Sequence, residues 1–281
     1  MKKSIVNELR FKMFQSGSRL NLFIGINVLV FILVGLIAVL DLITGTSLSP
    51  WLTEQLAMHA WIQSLAYKFW TPFTYMFFHR DFFHVLFNML WLYWMGRIFE
   101  EYLNNRQFTF TYLAGGLVGA FFYLLAYNLL PAFTNNVTNS SLLGASAGVN
   151  AIVIATATLL PEFTIGLLFF GQVRLKYLAL AFIVLDFLSI ASSNPGGSIA
   201  HLGGAFLGFI FIRQLQKGND WSNIFQKKSK LKVIKTDKSA VRHSILPDQE
   251  VVDRILDKIS RSGYESLSKK EKEQLFKASE N

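Results

Sequence analysis

Four polar residues stand within otherwise apolar stretches, and their types fit the chemistry of acyl transfer. Ser146 lies in Gly-Ala-Ser-Ala-Gly at 144–148, at the head of one apolar run, and His201 lies at the head of another. His84 and Asn88 are four residues apart in a third run. Polar side chains at membrane depth are costly and are therefore candidates for function. Together they indicate a serine hydrolase built inside a membrane.

The chemistry assigns a role to each of these residues. A serine hydroxyl is a weak nucleophile until a neighbouring base takes its proton, and His201 is the histidine at a suitable depth. No acid lies near His201 in sequence, so we predict a Ser146–His201 dyad without a third, orienting carboxylate. His84 and Asn88 share one helix face at positions i and i+4. With the Ser146 backbone N–H at a helix N-terminus, they suit stabilisation of an oxyanion.

Each of these signals has a plainer alternative. Gly-x-Ser-x-Gly is diagnostic in soluble hydrolases only between a strand and a helix, and small residues also favour close packing of membrane helices. Gly204 and Gly208 predict such tight packing for the helix that carries His201. For His79 we favour a hydrogen bond in a loop or at a helix start. For Glu100 we favour a structural ion pair or a helix-end bond, and for Asp186 interfacial hydration. The histidines lack the spacing of a zinc site, so no metal is expected.

The composition indicates an integral membrane protein. Of the 281 residues, 52% are hydrophobic and 16% are charged, whereas soluble domains average about 25% charged residues. Six segments approach the roughly 20 apolar residues that a membrane span needs, namely 20–42, 82–99, 108–130, 143–160, 175–191 and 199–215. The absence of cysteine excludes thiolate catalysis and Cys-ligated metals.

The basic residues predict the topology. The net charge of +9 is concentrated at the ends of the chain, which is typical of positive-inside flanks rather than nucleic-acid binding. If the six spans alternate, most Lys and Arg fall on one side, so both termini are expected in the cytoplasm of a multi-pass protein in the cell (inner) membrane. Spans two, four and six then begin outside, and the four polar residues lie at one depth below the outer surface.

The chain is expected to have four regions. Residues 1–19 form a cytoplasmic segment and 20–215 form the catalytic membrane domain. Within that domain, the Trp-rich connection 43–81 is typical of interfacial helices in the outer leaflet. Residues 216–246 indicate a basic, flexible linker. Residues 247–281 indicate a small helical hairpin that could bind a cytoplasmic partner or fold back on the cytoplasmic face. Gly263 separates its two helices, and Ser268 with Glu271 predicts a capping box.

With these residues assembled, the chain resembles the rhomboid family of intramembrane serine proteases. The resemblance covers roughly residues 20–215. It rests on HxxxxHxxxN at 79–88, GAS at 144–146 and AHLGG at 200–204. Trp70 and Glu100 match the family as well. These motifs stand in the family's order and on the family's topology.

The resemblance implies an all-α membrane protein, a bundle of six transmembrane helices with a membrane-embedded loop lobe between helices one and two. It implies Ser146 as nucleophile and His201 as general base. It implies His84, Asn88 and the Ser146 amide as the oxyanion site, with Gly144 allowing close approach. The implied substrates are transmembrane segments in the lipid bilayer, cleaved near their outer ends after a small residue, with helix five as the gate. No cofactor is implied.

The chain departs from the family's pattern at three positions. Thr71 follows Trp70 where arginine is frequent, and Ala147 follows the serine where glycine is common. Asn150 replaces an aromatic residue that stacks on the histidine, and we expect it to hydrogen-bond His201 instead. The alternative function is a catalytically weak or inactive relative that binds membrane-protein clients, although both Ser146 and His201 are present. A small transporter is disfavoured, because Asp186 alone supplies an intramembrane charge.

Overall fold

The structure, a computed structural model, describes residues 11–167, 171–191, 194–225 and 249–279. The chain divides into two compact units, Met1–Gln226 and Lys227–Asn281, which are described separately. Most of the described residues are helical. Residues 1–10 of the predicted N-terminal segment and 226–246 of the predicted linker lie outside the described residues.

The longer helices of the first unit follow the predicted spans to within a few residues. In chain order the helices are α1 (Arg19–Thr44), α2 (Leu48–Leu56), α3 (Phe82–Tyr102), α4 (Asn105–Leu129), α5 (Ser146–Leu159), α6 (Leu175–Ser189) and α7 (Pro195–Gln216). Helix α2 is shorter than the others and lies between two predicted spans. Among the described residues, α1, α4 and α7 are long and apolar enough to cross a membrane. The first unit is therefore a membrane domain.

Short helical turns lie in the connections between these helices, before α1 and after α7. Four-residue helices span Thr71–Thr74 and Pro131–Thr134, 3-10 turns span Ile62–Ala66, Tyr75–Phe77 and Trp221–Phe225, and a π-helical turn spans Phe11–Gln15. In the connection between α1 and α3, the Trp70 indole Nε1–H donates to the Gln55 carbonyl at 2.8 Å. The Tyr75 hydroxyl donates to the Gly116 carbonyl of α4 at 2.6 Å. These bonds tie the connection to itself and to the helices.

The described residues are mostly helical, as the prediction of an all-α fold requires, and they also contain two small antiparallel sheets that were not predicted. β1 (Met58–His59) pairs with β2 (Ser141–Leu142), and β3 (Thr164–Leu167) pairs with β4 (Gly171–Arg174). Strands of two to four residues are too short to produce an alternating pattern of apolar and polar residues. β2 also places a strand shortly before Ser146, where none was predicted.

Helix α5 is the centre of the first unit. Every residue from Ala147 to Ala157 is buried, whereas α6 buries only Leu175 and Leu178 at its start. A helix buried on all sides is expected to be apolar all round, and in this stretch of α5 the polar exceptions are Asn150 and Thr156. α6 by contrast exposes most of its length on the outside of the bundle.

Small residues bring α5 and α7 into close contact, as the sequence predicts. A Cβ atom added at Gly204 would lie 2.0 Å from the Ala147 carbonyl oxygen, and one at Gly208 would lie 2.3 Å from that of Ala151. Only glycine leaves room for backbones at this separation. The tight packing predicted from the two glycines is confirmed, and it holds the helices of Ser146 and His201 together.

Glu100, near the end of α3, makes the helix-end bonds expected of it. Its carboxylate accepts a hydrogen bond from the Ser18 hydroxyl at 2.9 Å and one from the Leu20 N–H at 2.9 Å. Ser18 is the N-cap of α1. Glu100 thus satisfies N-terminal donors of α1 and joins α1 to α3.

The second unit contains two helices, α8 (Gln249–Ser262) and α9 (Lys269–Ser279), with a 3-10 turn over Tyr264–Ser266 between them. Gly263 has φ 75°, a left-handed conformation that favours glycine at the end of a helix. The predicted capping box is confirmed. The Glu271 carboxylate accepts from the Ser268 N–H at 2.7 Å, and the Ser268 hydroxyl accepts from the Glu271 N–H at 3.4 Å. Ile255 and Leu267 are the buried side chains of this hairpin.

Candidate active site

Ser146 is the first residue of α5 and follows a tightly fixed turn. Gly144 has φ 115°, a conformation that side-chain-bearing residues rarely adopt. Its N–H donates to the Tyr75 carbonyl at 2.9 Å. The Ala145 N–H donates to Nε2 of His79 at 3.2 Å. The turn that presents Ser146 is thus held from both sides, by two backbone donors with fixed partners.

His79 has the hydrogen-bonding role expected of it. Its side chain is buried, and its ring lies edge-on to His84 with 5.0 Å between ring centroids. Burial, with a smaller contribution from the nearby His84, lowers the pKa of His79 from 6.5 to about 3. The ring is therefore neutral at physiological pH, which leaves Nε2 free to accept the hydrogen bond from Ala145.

Ser146, His201, His84 and Asn88 line one cavity of about 440 Å³. The four residues come from three helices, as the topology argument predicts. Ser146, His201 and His84 also line a second cavity of about 480 Å³. Within the described residues no hydrogen bond joins the Ser146 hydroxyl to His201. Catalytic hydrogen bonds are often long without substrate and shorten when substrate binds. The absence of a hydrogen bond here is therefore compatible with a nucleophile and its base.

The two cavities differ in character. The first is walled by aromatic and aliphatic side chains from α3 and α6, namely Phe83, Phe87, Trp91, Phe182 and Leu185. The second is lined by polar residues that include Arg80, Asp81, Ser141 and Asn194. Ser146 lies where an apolar space and a polar one meet. An apolar peptide segment and water could therefore reach its hydroxyl from different directions.

The prediction that no acid contacts His201 is wrong. Oδ1 of Asp186, on α6, lies 2.7 Å from Nδ1 of His201. The side-chain amide of Asn150 donates to the other carboxylate oxygen of Asp186 at 2.9 Å. The expected bond from Asn150 to His201 is wrong as well, since Asp186 lies between the two. The one sequence signal for this contact is the solitary acid within an apolar span, and its partners are His201 and Asn150 rather than the interfacial water expected there.

The absence of a side chain at Gly144 leaves room for the His84 imidazole beside the turn that precedes Ser146. A Cβ atom at position 144 would lie 2.6 Å from Cε1 and 2.8 Å from Nε2 of His84, which no real side chain tolerates. The side-chain amide of Asn88 donates one hydrogen bond to the His84 carbonyl at 2.9 Å. An amide nitrogen carries two N–H groups, so one is left for a ligand in the cavity. The oxyanion role of His84, Asn88 and Gly144 stays a prediction that this arrangement permits.

In the ranges that the structure describes, no group of three or more His, Asp or Glu residues is arranged to hold a metal ion. The polar groups that line the first cavity include a hydroxyl, imidazoles, amides and one carboxylate.

Two family models and one curated protein match the chain. The model of the Rhomboid domain matches residues 66–217, and a model described as a family of unknown function matches residues 246–281. The protein named RHOMBOID-like protein 12, mitochondrial, from Arabidopsis thaliana is 35% identical over 158 residues, which are 53% of this chain and 47% of that protein. The chain thus spans about half the length of this relative. Since the Rhomboid domain model covers more than half of the chain and includes all the residues of the cavity, the chain belongs to the rhomboid family.

Proposed function

We propose that the protein is an intramembrane serine endopeptidase that cleaves transmembrane segments of membrane proteins near their outer ends. The observation that carries the proposal is the cavity shared by Ser146, His201, His84 and Asn88, within helices that form a membrane domain. A nucleophile, a base and donors for an oxyanion are the parts that acyl transfer requires.

Catalysis then takes two steps. The Ser146 Oγ attacks the scissile carbonyl carbon while Nε2 of His201 takes the hydroxyl proton. The developing oxyanion accepts hydrogen bonds from the imidazole of His84, the free N–H of Asn88 and the backbone N–H of Ser146. The C–N bond breaks as His201 returns the proton to the leaving amine. Water then attacks the acyl-enzyme ester, with His201 again as base, and Ser146 leaves as the hydroxyl.

The two cavities suit the two reactants, the substrate segment and water. The apolar walls on α3 and α6 would receive the substrate's hydrophobic segment. The gate expected at helix five stays a prediction, because that helix, α6, also carries Asp186, which contacts His201. The polar opening beside Ser141 and Asn194 would supply the hydrolytic water. Cleavage after a small residue is part of the proposal and rests on the resemblance to the family.

The wider setting is part of the proposal. Six spans, α1 and α3 to α7, would enclose the site, and the connection between α1 and α3 would lie in the outer leaflet as a loop lobe. The excess of Lys and Arg on one side supports cytoplasmic termini and a multi-pass protein in the cell membrane. The name of the Arabidopsis relative places that protein in mitochondria. The hairpin 247–281 would serve as a cytoplasmic module for a partner protein.

The proposal is tested with purified protein and a single-span substrate that carries a small residue near its outer boundary. Wild type should cleave it and react with a fluorophosphonate probe, and Ser146→Ala should do neither while remaining folded. Ser64→Ala is the matched control, because the Ser64 hydroxyl is buried and makes no hydrogen bond among the described residues. A folded wild type that neither cleaves nor reacts with the probe would favour the alternative, an inactive protein that binds membrane clients.

A further inference from the structure

We infer that Asp186 is the positioning residue of the catalytic base, His201. We infer also that Asn150, by donating a hydrogen bond to one oxygen of Asp186, leaves the other oxygen to accept from His201. This inference rests on the proposed function, since it assigns a role within the same site. It replaces the expected dyad by a chain of side chains, Asn150 to Asp186 to His201, that ends at the imidazole.

The contacts are direct and the acid is shielded. Asp186 Oδ1 lies 2.7 Å from His201 Nδ1, and the two side chains are 16% and 25% exposed. A carboxylate at this depth is costly unless it is paired and hydrogen-bonded. Both of its oxygens have partners, one in His201 and the other in Asn150.

The contact determines which imidazole nitrogen carries the proton. An ionised carboxylate only accepts hydrogen bonds, so Nδ1 of His201 is the donor. Nε2 is then the nitrogen without a proton, as a base for Ser146 must be. A histidine without this partner would share its proton between the two nitrogens and rotate more freely.

Asn150 makes the arrangement directional. It lies four residues after Ser146 on α5, so both side chains occupy one face of that helix. Its amide N–H points at Asp186 Oδ2 at 2.9 Å, and so demands an acceptor there. If Asp186 became asparagine, the introduced amide would turn its oxygen to Asn150 and its NH₂ to Nδ1. The imidazole would then carry its proton on Nε2, where it cannot accept the proton of Ser146.

This reasoning yields an exchange experiment. Asp186→Asn should lower kcat for the single-span substrate by about a hundredfold or more, with little change in KM, and should slow fluorophosphonate labelling of Ser146 to the same degree. The double variant Asn150→Asp, Asp186→Asn restores a carboxylate at 150 that accepts from the introduced amide at 186. The oxygen of that amide then faces Nδ1 of His201. The kcat of the double variant should therefore be at least ten times that of Asp186→Asn.

The controls separate positioning from general stability. Asp41→Asn removes another acid from the membrane domain, one that accepts from Leu48 N–H at 3.0 Å and not from the site, and should keep wild-type kcat. Melting temperatures of all variants are measured in the same detergent. The inference fails if Asp186→Asn keeps wild-type kcat, or if the double variant is no more active than the single one. If wild type itself neither cleaves nor reacts with the probe, the proposed function has failed instead.

Discussion

Gly204→Ala offers a direct test of how packing positions Ser146 and His201, the proposed catalytic pair. The added Cβ would lie 2.0 Å from the Ala147 carbonyl oxygen and 2.8 Å from its carbon. Both contacts are with backbone atoms, so no side chain can turn away to relieve them. An ordinary contact begins near 3.4 Å, so α5 and α7 must part by about 1.4 Å at this level.

The displacement acts on the site because of where these residues lie. Ala147 follows Ser146, and Gly204 follows His201 by one helical turn. A misplacement of about 1 Å at a reacting pair costs roughly a hundredfold in rate. Overpacking of this kind also lowers the free energy of unfolding by about 1–3 kcal/mol. We therefore expect kcat for the single-span substrate to fall about a hundredfold, with a lower melting temperature.

Two further glycine variants separate geometry from stability. Gly35→Ala is the matched control on α1, since a Cβ there has nothing within 4 Å, and it should behave as wild type. Gly208→Ala creates a similar clash, 2.3 Å from the Ala151 carbonyl oxygen, one turn farther from the catalytic pair. It should lower the melting temperature comparably but kcat less. Equal losses of kcat at 204 and 208, or full activity of Gly204→Ala, would refute the reasoning.

Three other predictions concern the serine turn and the C-terminal hairpin. Gly144→Ala forces a strained φ and drives His84 away, so cleavage should fall at least tenfold, whereas Gly45→Ala, also at positive φ but with nothing near its Cβ, should keep wild-type cleavage. Since burial lowers the His79 pKa from 6.5 to about 3, the stability due to its neutral form is complete above pH 6.5 and is lost as the pH falls towards 3. His79→Gln should therefore flatten the acid side of a melting-temperature curve, and an unchanged curve would contradict this. The bonds from Ser268 and Lys258 lower the Glu271 pKa from 4.5 to about 2, so the protection of α9 amides against hydrogen exchange, relative to the unfolded chain, should fall as the pH falls from 4.5 towards 2. Glu271→Gln should show the lower protection already at neutral pH.

The helices were predictable because a membrane span carries a strong signal. A bilayer demands about 20 apolar residues and internal satisfaction of every backbone group, so long apolar runs predict helices to within a few residues. The tight contact at Gly204 and Gly208 was predictable for a related reason. Between apolar helices, small residues are what permits close approach.

The contact between Asp186 and His201 was not predicted because it joins two helices through space. Asp186 is not near His201 in sequence, since it comes 15 residues earlier and on another helix. α6 ends at Ser189 and α7 begins at Pro195, so both residues lie within about two turns of one connection. Consecutive helices joined by a short loop are neighbours, and this rule together with the cost of a lone membrane acid would have indicated the pair.

The position of Ser146 at the start of a helix satisfies two requirements that a hydrolase in a membrane must meet together. The chemistry needs a backbone N–H aimed at the oxyanion, and the first residues of a helix have N–H groups without partners inside the helix. The chemistry also needs water, which reaches a helix end near the surface far more readily than a helix centre. At Ser146 the polar cavity and the apolar cavity meet, so moving the serine one turn deeper into α5 would deprive it of both the free N–H and the water. By this argument the depth of the serine, and not only its identity, determines whether the cavity can hydrolyse a peptide bond.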